Sequence, residues 1–286
     1  MKIGLICEGG GLKCAYSAGI LDQFIEDQIT FDYCIGVSAG SANLSSYLAG
    51  QKGRNLRFYT QWIEDEGFFG KKALFKYGGL FGIEYIYGNL TNSDGKDPLD
   101  YEALMKNPSE FELVATDASN GKAVYFDKSM MKQDDYRAIM ASSAIPAACK
   151  PIEINGRFYF DGGISDAIPI ERACLKGCDR MVVILSKPRD FIKKPEDHKK
   201  LYSLLCARYP KIVDALNQRH VMYAHQQRLL YQLEKEQKAF IFAPSEKVPM
   251  ATTQLSRKDN QQLYDLGVYD YIKYKENLKE FLKEEF

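Results

Sequence analysis

The chain has 286 residues, 45% of them hydrophobic, and a formal net charge of zero. This length can bury a large core in one or two domains, and the balanced charge argues against nucleic acid as the main partner. Its seven cysteines show no metal-binding spacing, so we interpret them as buried thiols in a reducing compartment and expect neither metal nor cofactor.

The first predicted elements are a strand, a glycine loop and a helix. Residues 2–7 alternate as a strand does, Gly9, Gly10 and Gly11 follow, and apolar residues recur at helical spacing over 12–26. Successive glycines between a strand and a helix expose backbone N–H groups at the positive end of the helix, which is the arrangement of an anion site. In a serine hydrolase such a loop would be the oxyanion hole.

Two other interpretations of the glycine loop stay open. Gly9-x-Gly11 fits the first half of a dinucleotide-binding fingerprint, but Cys14 replaces its third glycine and no acid ends the next strand near Gly36. A tight turn without a ligand is the structural alternative. Because three glycines exceed what a turn requires, we rank the anion site first, the turn second and the dinucleotide site third.

A serine with small neighbours follows the second predicted strand. Residues 31–35 are apolar apart from Asp32, Gly36-Val37-Ser38-Ala39-Gly40 comes next, and a helix of small residues is predicted over 39–49. A side chain at Gly36 or Gly40 would collide with the strand or the helix, so the pattern predicts a nucleophile elbow carrying Ser38. A chance match in a loop is the weaker alternative, because a strand precedes the serine and a helix follows it.

Residues 68–87 combine aromatic side chains with glycines and lysines. This composition suits a mobile cover over an acyl channel, or an element that touches lipid headgroups. Ordinary packing under a long loop explains it about as well, and both interpretations stay open.

A carboxylate is predicted at the end of a later strand. Strands are expected at 110–117, 122–126 and 181–185, with hairpin turns at 120–121 and 155–156. The second turn places residues 157–160 on a strand that ends at Asp161. Gly162 and Gly163 follow, and they would let another backbone approach closely. Capping a turn is the alternative role for Asp161.

Four blocks in this order resemble the patatin-like phospholipase family. They are Gly9-Gly10-Gly11-Leu12-Lys13, Gly36-Val37-Ser38-Ala39-Gly40, Ala141-Ser142-Ser143-Ala144-Ile145-Pro146 and Asp161-Gly162-Gly163. The resemblance covers roughly residues 3–185. It implies an α/β chain with a three-layer α/β/α patatin-like fold and a mostly helical C-terminal extension. It also implies a serine lipid acyl hydrolase, a phospholipase, lysophospholipase or esterase, that works through a Ser-Asp dyad and an acyl-enzyme.

The resemblance carries roles to individual positions. Ser38 would be the nucleophile, Asp161 the base, and the three glycines of the loop the oxyanion hole. Supporting roles would fall to Lys13, Gly36, Gly40, Pro146, Gly162 and Gly163. The family usually has arginine and then glycine where this chain has Lys13 and Cys14, and lysine cannot reproduce the directed bonds of a guanidinium. The resemblance therefore predicts that the glycine loop is present, but not that it is held as rigidly as in the family.

Three histidines bear on the choice between a dyad and a triad. His198, His220 and His225 all follow Asp161, so the order serine, aspartate, histidine is formally available. They lie in polar runs typical of exposed helices, whereas a catalytic histidine usually lies on a loop at the carboxyl edge of the sheet. We therefore expect surface histidines and a dyad.

The chain is predicted to divide near residue 190. A catalytic domain at 1–190 would be followed by a mostly helical region at 191–286, packed on it or appended to it, with one strand at 238–243 and a final charged helix at 257–286. Residues 187–211 contain eight Lys and Arg against three Asp and Glu. This excess could bring the protein to an anionic membrane surface, although a solvated face is the commoner explanation.

The expected location is cytoplasmic, with transient peripheral contact at the inner face of a membrane. The apolar run at 3–7 is too short for a signal peptide, and the uncharged stretch at 33–51 is too polar to span a bilayer. The expected partner is an acyl-ester lipid, with no nucleic acid and no indicated oligomeric state. The competing hypotheses are a non-catalytic lipid-binding or regulatory module on a hydrolase fold and, less favoured, a dinucleotide-dependent oxidoreductase.

Overall fold

The structure is a computed structural model that describes residues 1–197, 199–246 and 256–283. Its strands are β1 (Ile3–Cys7), β2 (Tyr33–Val37), β3 (Glu110–Asp117), β4 (Ala123–Asp127), β5 (Ile152–Ile154), β6 (Arg157–Asp161), β7 (Arg180–Ile184) and β8 (Ala239–Phe242). Its α-helices are α1 (Ala15–Glu26), α2 (Ala39–Leu48), α3 (Arg54–Thr60), α4 (Lys71–Tyr77), α5 (Tyr101–Lys106), α6 (Arg137–Ser143), α7 (Ile170–Leu175), α8 (Lys199–Leu205), α9 (Pro210–Lys235) and α10 (Arg257–Leu282).

The eight strands form one mixed sheet. Its order is β5-β6-β3-β2-β1-β7-β8, and β4 also pairs with β3. The strands β3, β2, β1, β7 and β8 run parallel, whereas β4 and β6 pair with β3 in the antiparallel direction. The carboxyl ends of β1 and β2 therefore meet at one edge, where the glycine loop and the serine block follow them.

Helices cover both faces of the sheet, which makes the fold a three-layer α/β/α sandwich, as the resemblance implied. On β1, Leu5 and Cys7 pack into a core shared with α1, α2 and α10, whereas Ile6 packs into a core shared with α7 and α9. This alternation follows from the pleat of a strand. Because both faces are covered, the central strands are almost entirely apolar.

Two predicted boundaries shift in the structure. The second strand was expected at 31–35 and lies at Tyr33–Val37, because its register pairs Tyr33 with Gly4 of β1 and Val37 with Val114 of β3. The helix expected over 12–26 opens with a 3-10 turn at Gly11–Cys14 before α1 begins.

The predicted turn at residues 155–156 joins β5 to β6. Asn155 has φ 51° and Gly156 has φ 76°. Two successive left-handed residues match the twist of a two-residue hairpin, which is why asparagine and glycine suit these positions. This hairpin fixes where β6 ends, at Asp161.

The region after residue 190 is mostly helical and contributes to both faces of the sheet. Its strand β8 pairs in parallel with β7, while α9 and α10 pack on opposite faces. The helices α1 and α10 touch backbone to backbone. A Cβ on Gly19 would lie 2.2 Å from the carbonyl oxygen of Tyr264, and one on Gly267 would lie 2.2 Å from that of Tyr16.

No helix within the described ranges has both the length and the apolar character that a bilayer crossing demands.

Candidate active site

Ser38 occupies a strained turn between β2 and α2. Its backbone has φ 54° and ψ −130°, a combination of angles that residues other than glycine rarely adopt. The turn is held from both sides: the Ser38 N–H donates to Ser142 Oγ at 2.9 Å, and Ser41 N–H donates to the Ser38 carbonyl at 2.9 Å. Only 6% of Ser38 is exposed.

The glycines flanking this turn have no room for a side chain. A Cβ on Gly36 would lie 2.5 Å from Ser41 Cα, and one on Gly40 would lie 2.5 Å from the carbonyl oxygen of Cys7. Glycine at both positions therefore lets α2 start directly against β1 and β2. This packing directs Ser38 toward the carboxyl edge of the sheet.

Asp161 lies at the end of β6, where three hydrogen bonds hold it. Its N–H donates to the Ala144 carbonyl at 2.9 Å, and its own carbonyl accepts from Thr116 Oγ1 at 2.8 Å. Its carboxylate accepts from the Gly163 N–H at 2.7 Å. The residue is 6% exposed, so both its backbone and its side chain are fixed.

The fold brings Ser38 and Asp161 together from distant parts of the chain. The Ser38 hydroxyl lies beside the Asp161 carboxylate, and burial raises the pKa of that carboxyl above its ordinary value. The Ser38 hydroxyl, the Arg219 guanidinium and the Gly163 N–H each lower this pKa in part. A buried carboxylate beside a serine is better suited to accept a proton than a solvated one.

The two glycines after Asp161 have different surroundings. A Cβ on Gly162 would lie 2.2 Å from the carbonyl oxygen of Val114, so glycine lets this turn lie against β3. The Gly163 carbonyl accepts from Arg219 Nε of α9 at 2.6 Å. Helix α9 therefore holds the turn that follows the carboxylate.

The glycine loop passes directly over Ser38. A Cβ on Gly9 would lie 2.9 Å from Ser38 Cβ, and Gly11 has a left-handed φ of 56°. The backbone N–H groups of Gly9, Gly10 and Gly11 form no hydrogen bond to any described residue. Three free donors beside a serine hydroxyl are the requirement for binding an oxyanion.

Glu8 fixes the start of this loop, although no motif in the sequence predicted a role for it. It is 1% exposed, and its carboxylate accepts from the Ser186 N–H at 2.8 Å and from the Tyr223 hydroxyl at 2.9 Å. Lys187 completes the set with an ion pair. The only sequence signal was an acidic residue placed directly after an apolar strand.

Lys13 does not hold the loop through directed bonds. It is half-buried and forms no ion pair within the described ranges, and burial together with Lys187 lowers the pKa of its ammonium group. The neighbouring Cys14 instead donates from Sγ to the Glu8 carbonyl at 3.4 Å. The lysine that replaces the family's arginine therefore leaves anchoring of the loop to Glu8.

Two cavities meet at Ser38. The apolar cavity is bounded in part by the segment at 68–87, and Arg54 and Asn55 also line it; its other lining residues include Leu12, Phe58, Tyr59, Phe68, Phe81, Ile83, Ile86 and Tyr87. The polar cavity contains the glycine loop and Asp161; its other lining residues include Lys13, Ile145, Pro146, Lys187, Lys193, Tyr202 and Arg219. Ser38 thus lies between an apolar and a polar compartment.

The histidines lie away from both cavities where the structure describes them. His220 and His225 are on α9, and neither lines the apolar or the polar cavity. His225 is exposed, with Nε2 3.6 Å from Glu171 Oε1. His198 lies outside the described residues. Residues 1–197, 199–246 and 256–283 contain no group of three His, Cys, Asp or Glu side chains suited to a metal ion.

Two family models match the chain. The model described as "Patatin-like phospholipase" matches residues 5–174. A model of a domain of unknown function, DUF6363, matches residues 209–283.

Curated relatives give partial matches. The uncharacterized protein YjjU of Escherichia coli is 32% identical over 203 residues, which are 70% of this chain and 56% of that protein. The uncharacterized NTE family protein Rv1063c of Mycobacterium tuberculosis is 40% identical over 68 residues, which are 24% of this chain and 18% of that protein. The matches thus span about half or less of the length of these relatives. Among solved structures, VipD from Legionella pneumophila aligns with a TM-score of 0.49 and 13% identity, over 96% of this chain and 67% of that chain.

Proposed function

Since the chain belongs to the patatin-like phospholipase family, we propose that it is a serine hydrolase of acyl-ester lipids with Ser38 and Asp161 as its catalytic dyad. The observation that carries the proposal is that Ser38 and the buried Asp161 line one cavity together, beneath the glycine loop. The competing role of Asp161 as a turn cap explains its bond to Gly163, but not its position beside the Ser38 hydroxyl.

In the first step, the Ser38 oxygen attacks the ester carbonyl carbon while its proton passes to the Asp161 carboxylate. A C–O bond forms, and the carbonyl π electrons move to oxygen. Burial favours this transfer because it raises the proton affinity of the carboxylate. Collapse of the tetrahedral intermediate returns the proton to the leaving alcohol and leaves an acyl-enzyme on Ser38.

The free N–H groups of Gly9, Gly10 and Gly11 would bind the oxyanion of that intermediate. Each such donor typically contributes about 10²–10³ in rate. Their position depends on Glu8, whose four contacts anchor the start of the loop. Water, deprotonated by Asp161, would then attack the acyl carbon; the bond from that carbon to the Ser38 oxygen breaks, Asp161 returns the proton to Ser38, and the acid is released.

The two cavities suggest how a lipid ester would bind. The apolar cavity suits the acyl chain, and the polar cavity, with Lys13, Lys187 and Lys193 on its wall, suits the alcohol and headgroup. Within this proposal, the segment at 68–87 forms part of the acyl-binding wall. Phospholipids, lysophospholipids and simpler esters all fit this division.

We also propose that the protein acts in the cytoplasm, in peripheral contact with a membrane. Support for a reducing compartment comes from its seven cysteines, which are all free, five of them buried. The division into a catalytic part at 1–190 and a C-terminal region at 191–286 is kept as part of this proposal, with the second region packed on the first.

A fluorophosphonate probe tests the nucleophile directly. We expect a single label at Ser38, and Ser38→Ala should lose both the label and the hydrolysis of a p-nitrophenyl ester. Ser45→Ala is the matched control, because Ser45 is buried in the same helix and bonds only the Ser41 carbonyl. Labelling of another serine, or hydrolysis by Ser38→Ala, would contradict the assignment.

A further inference from the structure

Two short helices on the surface expose apolar side chains outward. In α4, Leu74 and Phe75 point to solvent, and Phe75 is 88% exposed. In α8, Leu201, Leu204 and Leu205 do the same, and Leu204 is 74% exposed. Single exposed apolar residues are ordinary, but clusters of them usually mark an interaction site.

The charge on both helices has one sign. Helix α4 carries Lys71, Lys72 and Lys76, helix α8 carries Lys199 and Lys200, and neither contains an acidic residue. All five lysines are exposed. Lysines beside exposed leucine and phenylalanine are the pattern of elements that lie in the interface of an anionic membrane.

The loop at residues 145–150 joins the two helices into one surface. On one side, the Leu80 N–H next to α4 donates to the Ala148 carbonyl at 2.7 Å. On the other side, the Cys206 thiol at the end of α8 lies close to the Ala147 backbone. The exposed Lys150 lies against Gly78, at the end of α4. We call this surface, formed by α4, residues 147–150 and α8, the docking face.

The docking face lies beside both cavities at Ser38. Ile145 and Pro146, which begin the bridging loop, line the polar cavity, and so does Tyr202 on the buried side of α8. Phe68 and Phe81, which flank α4, line the apolar cavity. A flat partner seated on the docking face would therefore cover the entrance to both cavities.

We infer that the docking face binds an anionic lipid bilayer, with α4 and α8 inserting their apolar side chains on either side of the active-site opening. This inference rests on the proposed function, since it places the ester bond of a membrane lipid at Ser38. The exposed lysines would meet lipid phosphates while the leucines and Phe75 enter the acyl region. The positive, acid-free composition of both helices favours a bilayer over an apolar protein partner.

Vesicle co-sedimentation tests the docking face separately from catalysis. Wild type and Ser38→Ala should bind vesicles of phosphatidylcholine mixed with an equal amount of phosphatidylglycerol, and both should bind pure phosphatidylcholine more weakly. Phe75→Ser and Leu204→Ser should each weaken binding by about tenfold, because each removes a large apolar side chain from the buried set. Lys76→Glu should weaken it by about 25-fold, since it changes the charge of the face by two units and each unit contributes about a factor of five.

The chain offers matched controls. Leu175 is 82% exposed at the end of α7, just before β7 begins, and so lies at the sheet edge opposite Ser38. Lys235 is exposed near the start of β8, at that same far edge. Leu175→Ser and Lys235→Glu should bind vesicles as wild type does. Since Phe75 and Leu204 are exposed, their substitution should leave the melting temperature unchanged.

A positional readout completes the test. Phe75→Trp should gain a vesicle-dependent fluorescence signal that brominated acyl chains quench, whereas Leu175→Trp should not. Equal vesicle binding by Phe75→Ser and Leu175→Ser, or equal binding to anionic and neutral vesicles, would overturn the inference. Failure of the proposed catalysis would leave a different result: Ser38→Ala and wild type would bind vesicles alike, and neither would hydrolyse a soluble ester.

Discussion

The Tyr223 hydroxyl donates a hydrogen bond of 2.9 Å to the Glu8 carboxylate, across 215 positions of the chain. Tyr223 lies on α9, in the region matched by the domain of unknown function, and Glu8 begins the glycine loop of the patatin-like region. The same helix reaches the turn after Asp161 through Arg219. Both halves of the proposed site therefore depend on one helix of the C-terminal region.

Tyr223→Phe should lower kcat by about tenfold and lower the melting temperature by a few degrees. The ring would still pack against Phe191, but a buried carboxylate would lose one donor, a loss of about 1–3 kcal/mol at the loop. Ester hydrolysis and thermal unfolding of the same preparation measure both effects. Tyr231→Phe is the control on the same helix, because the Tyr231 hydroxyl bonds only the Arg189 carbonyl. Equal kcat in the two variants would remove Tyr223 from the positioning of the loop.

The Asp161→Asn variant should fold normally and hydrolyse esters at least about a thousandfold more slowly. A loss of this size is typical when one member of a catalytic set of residues is removed. Asparagine can still accept the Gly163 N–H, but it cannot take the proton of Ser38. Asp127 is a matched control, since it also ends a strand and accepts an N–H two residues later, from Ser129 at 2.8 Å. Asp127→Asn should keep its turnover. Substantial hydrolysis by folded Asp161→Asn would leave Asp161 as a turn cap only.

The acid limb of kcat/KM should lie above the ordinary pKa of aspartate, about 3.9. Asp161 must be ionised to accept the proton, and burial raises its pKa, so activity should increase as the pH rises through that higher value. A soluble ester assayed across the acid range, with circular dichroism at each pH, separates titration from unfolding. An acid limb centred at or below the ordinary value in a folded protein would contradict the role of burial.

Asp166→Asn should stabilise the protein at about pH 8 and not at about pH 4. Burial raises the pKa of Asp166 to about 6, so the folded state binds its proton more tightly than the unfolded state does. The free energy of unfolding therefore falls as the pH rises from about 4 to about 6. Above that range, the ionised Asp166 carboxylate destabilises the folded state by about 1–3 kcal/mol. Denaturant titrations at the two pH values measure the difference. Asp214→Asn, on the exposed side of α9, is the control, and an equal gain at both pH values would exclude this explanation.

Gly267→Ala should destabilise the protein by about 1–3 kcal/mol, as overpacking of a tight contact does. In an isolated helix the same change would stabilise by about 1 kcal/mol, but here the added Cβ meets the Tyr16 carbonyl. Asn277→Ala, at an exposed position of the same helix, should change stability little. A Gly267→Ala variant as stable as wild type would mean that α1 and α10 separate readily. The C-terminal region would then be appended to the catalytic part and not packed on it.

The sequence predicted the parts of the fold that depend on local pattern. Most of the strands, the turn at 155–156 and the glycines around Ser38 each follow from a few neighbouring residues, whereas the turn predicted at 120–121 is part of a longer connection over residues 118–122. The boundary at Phe31 was wrong because strand register, and not apolar character, decides which residues pair. Phe31 is nevertheless buried, although it precedes the first residue of β2.

The contacts that hold the proposed site were not predictable in the same way. Tyr223 and Arg219 lie in a polar helical run, which predicts only a solvated helix. Their roles depend on where α9 crosses the sheet, and that is set by packing across many residues. Similarly, the lysine-rich segments at 68–87 and 187–211 were each ambiguous alone. The two segments form one surface because the loop at 145–150 contacts both of them, and this contact cannot be predicted from either segment alone.

At Ser38, the residue that would best stabilise the fold differs from the residue that the proposed reaction requires. At φ 54° and ψ −130° glycine would be the relaxed occupant, and any side chain there carries a strain on the order of 1–3 kcal/mol. The rest of the elbow must supply that free energy through the contacts of Gly36, Gly40 and Ser142. A descendant of this chain freed from catalysis would gain stability by exchanging the serine for glycine, so the identity of this residue would report whether a relative still needs a nucleophile.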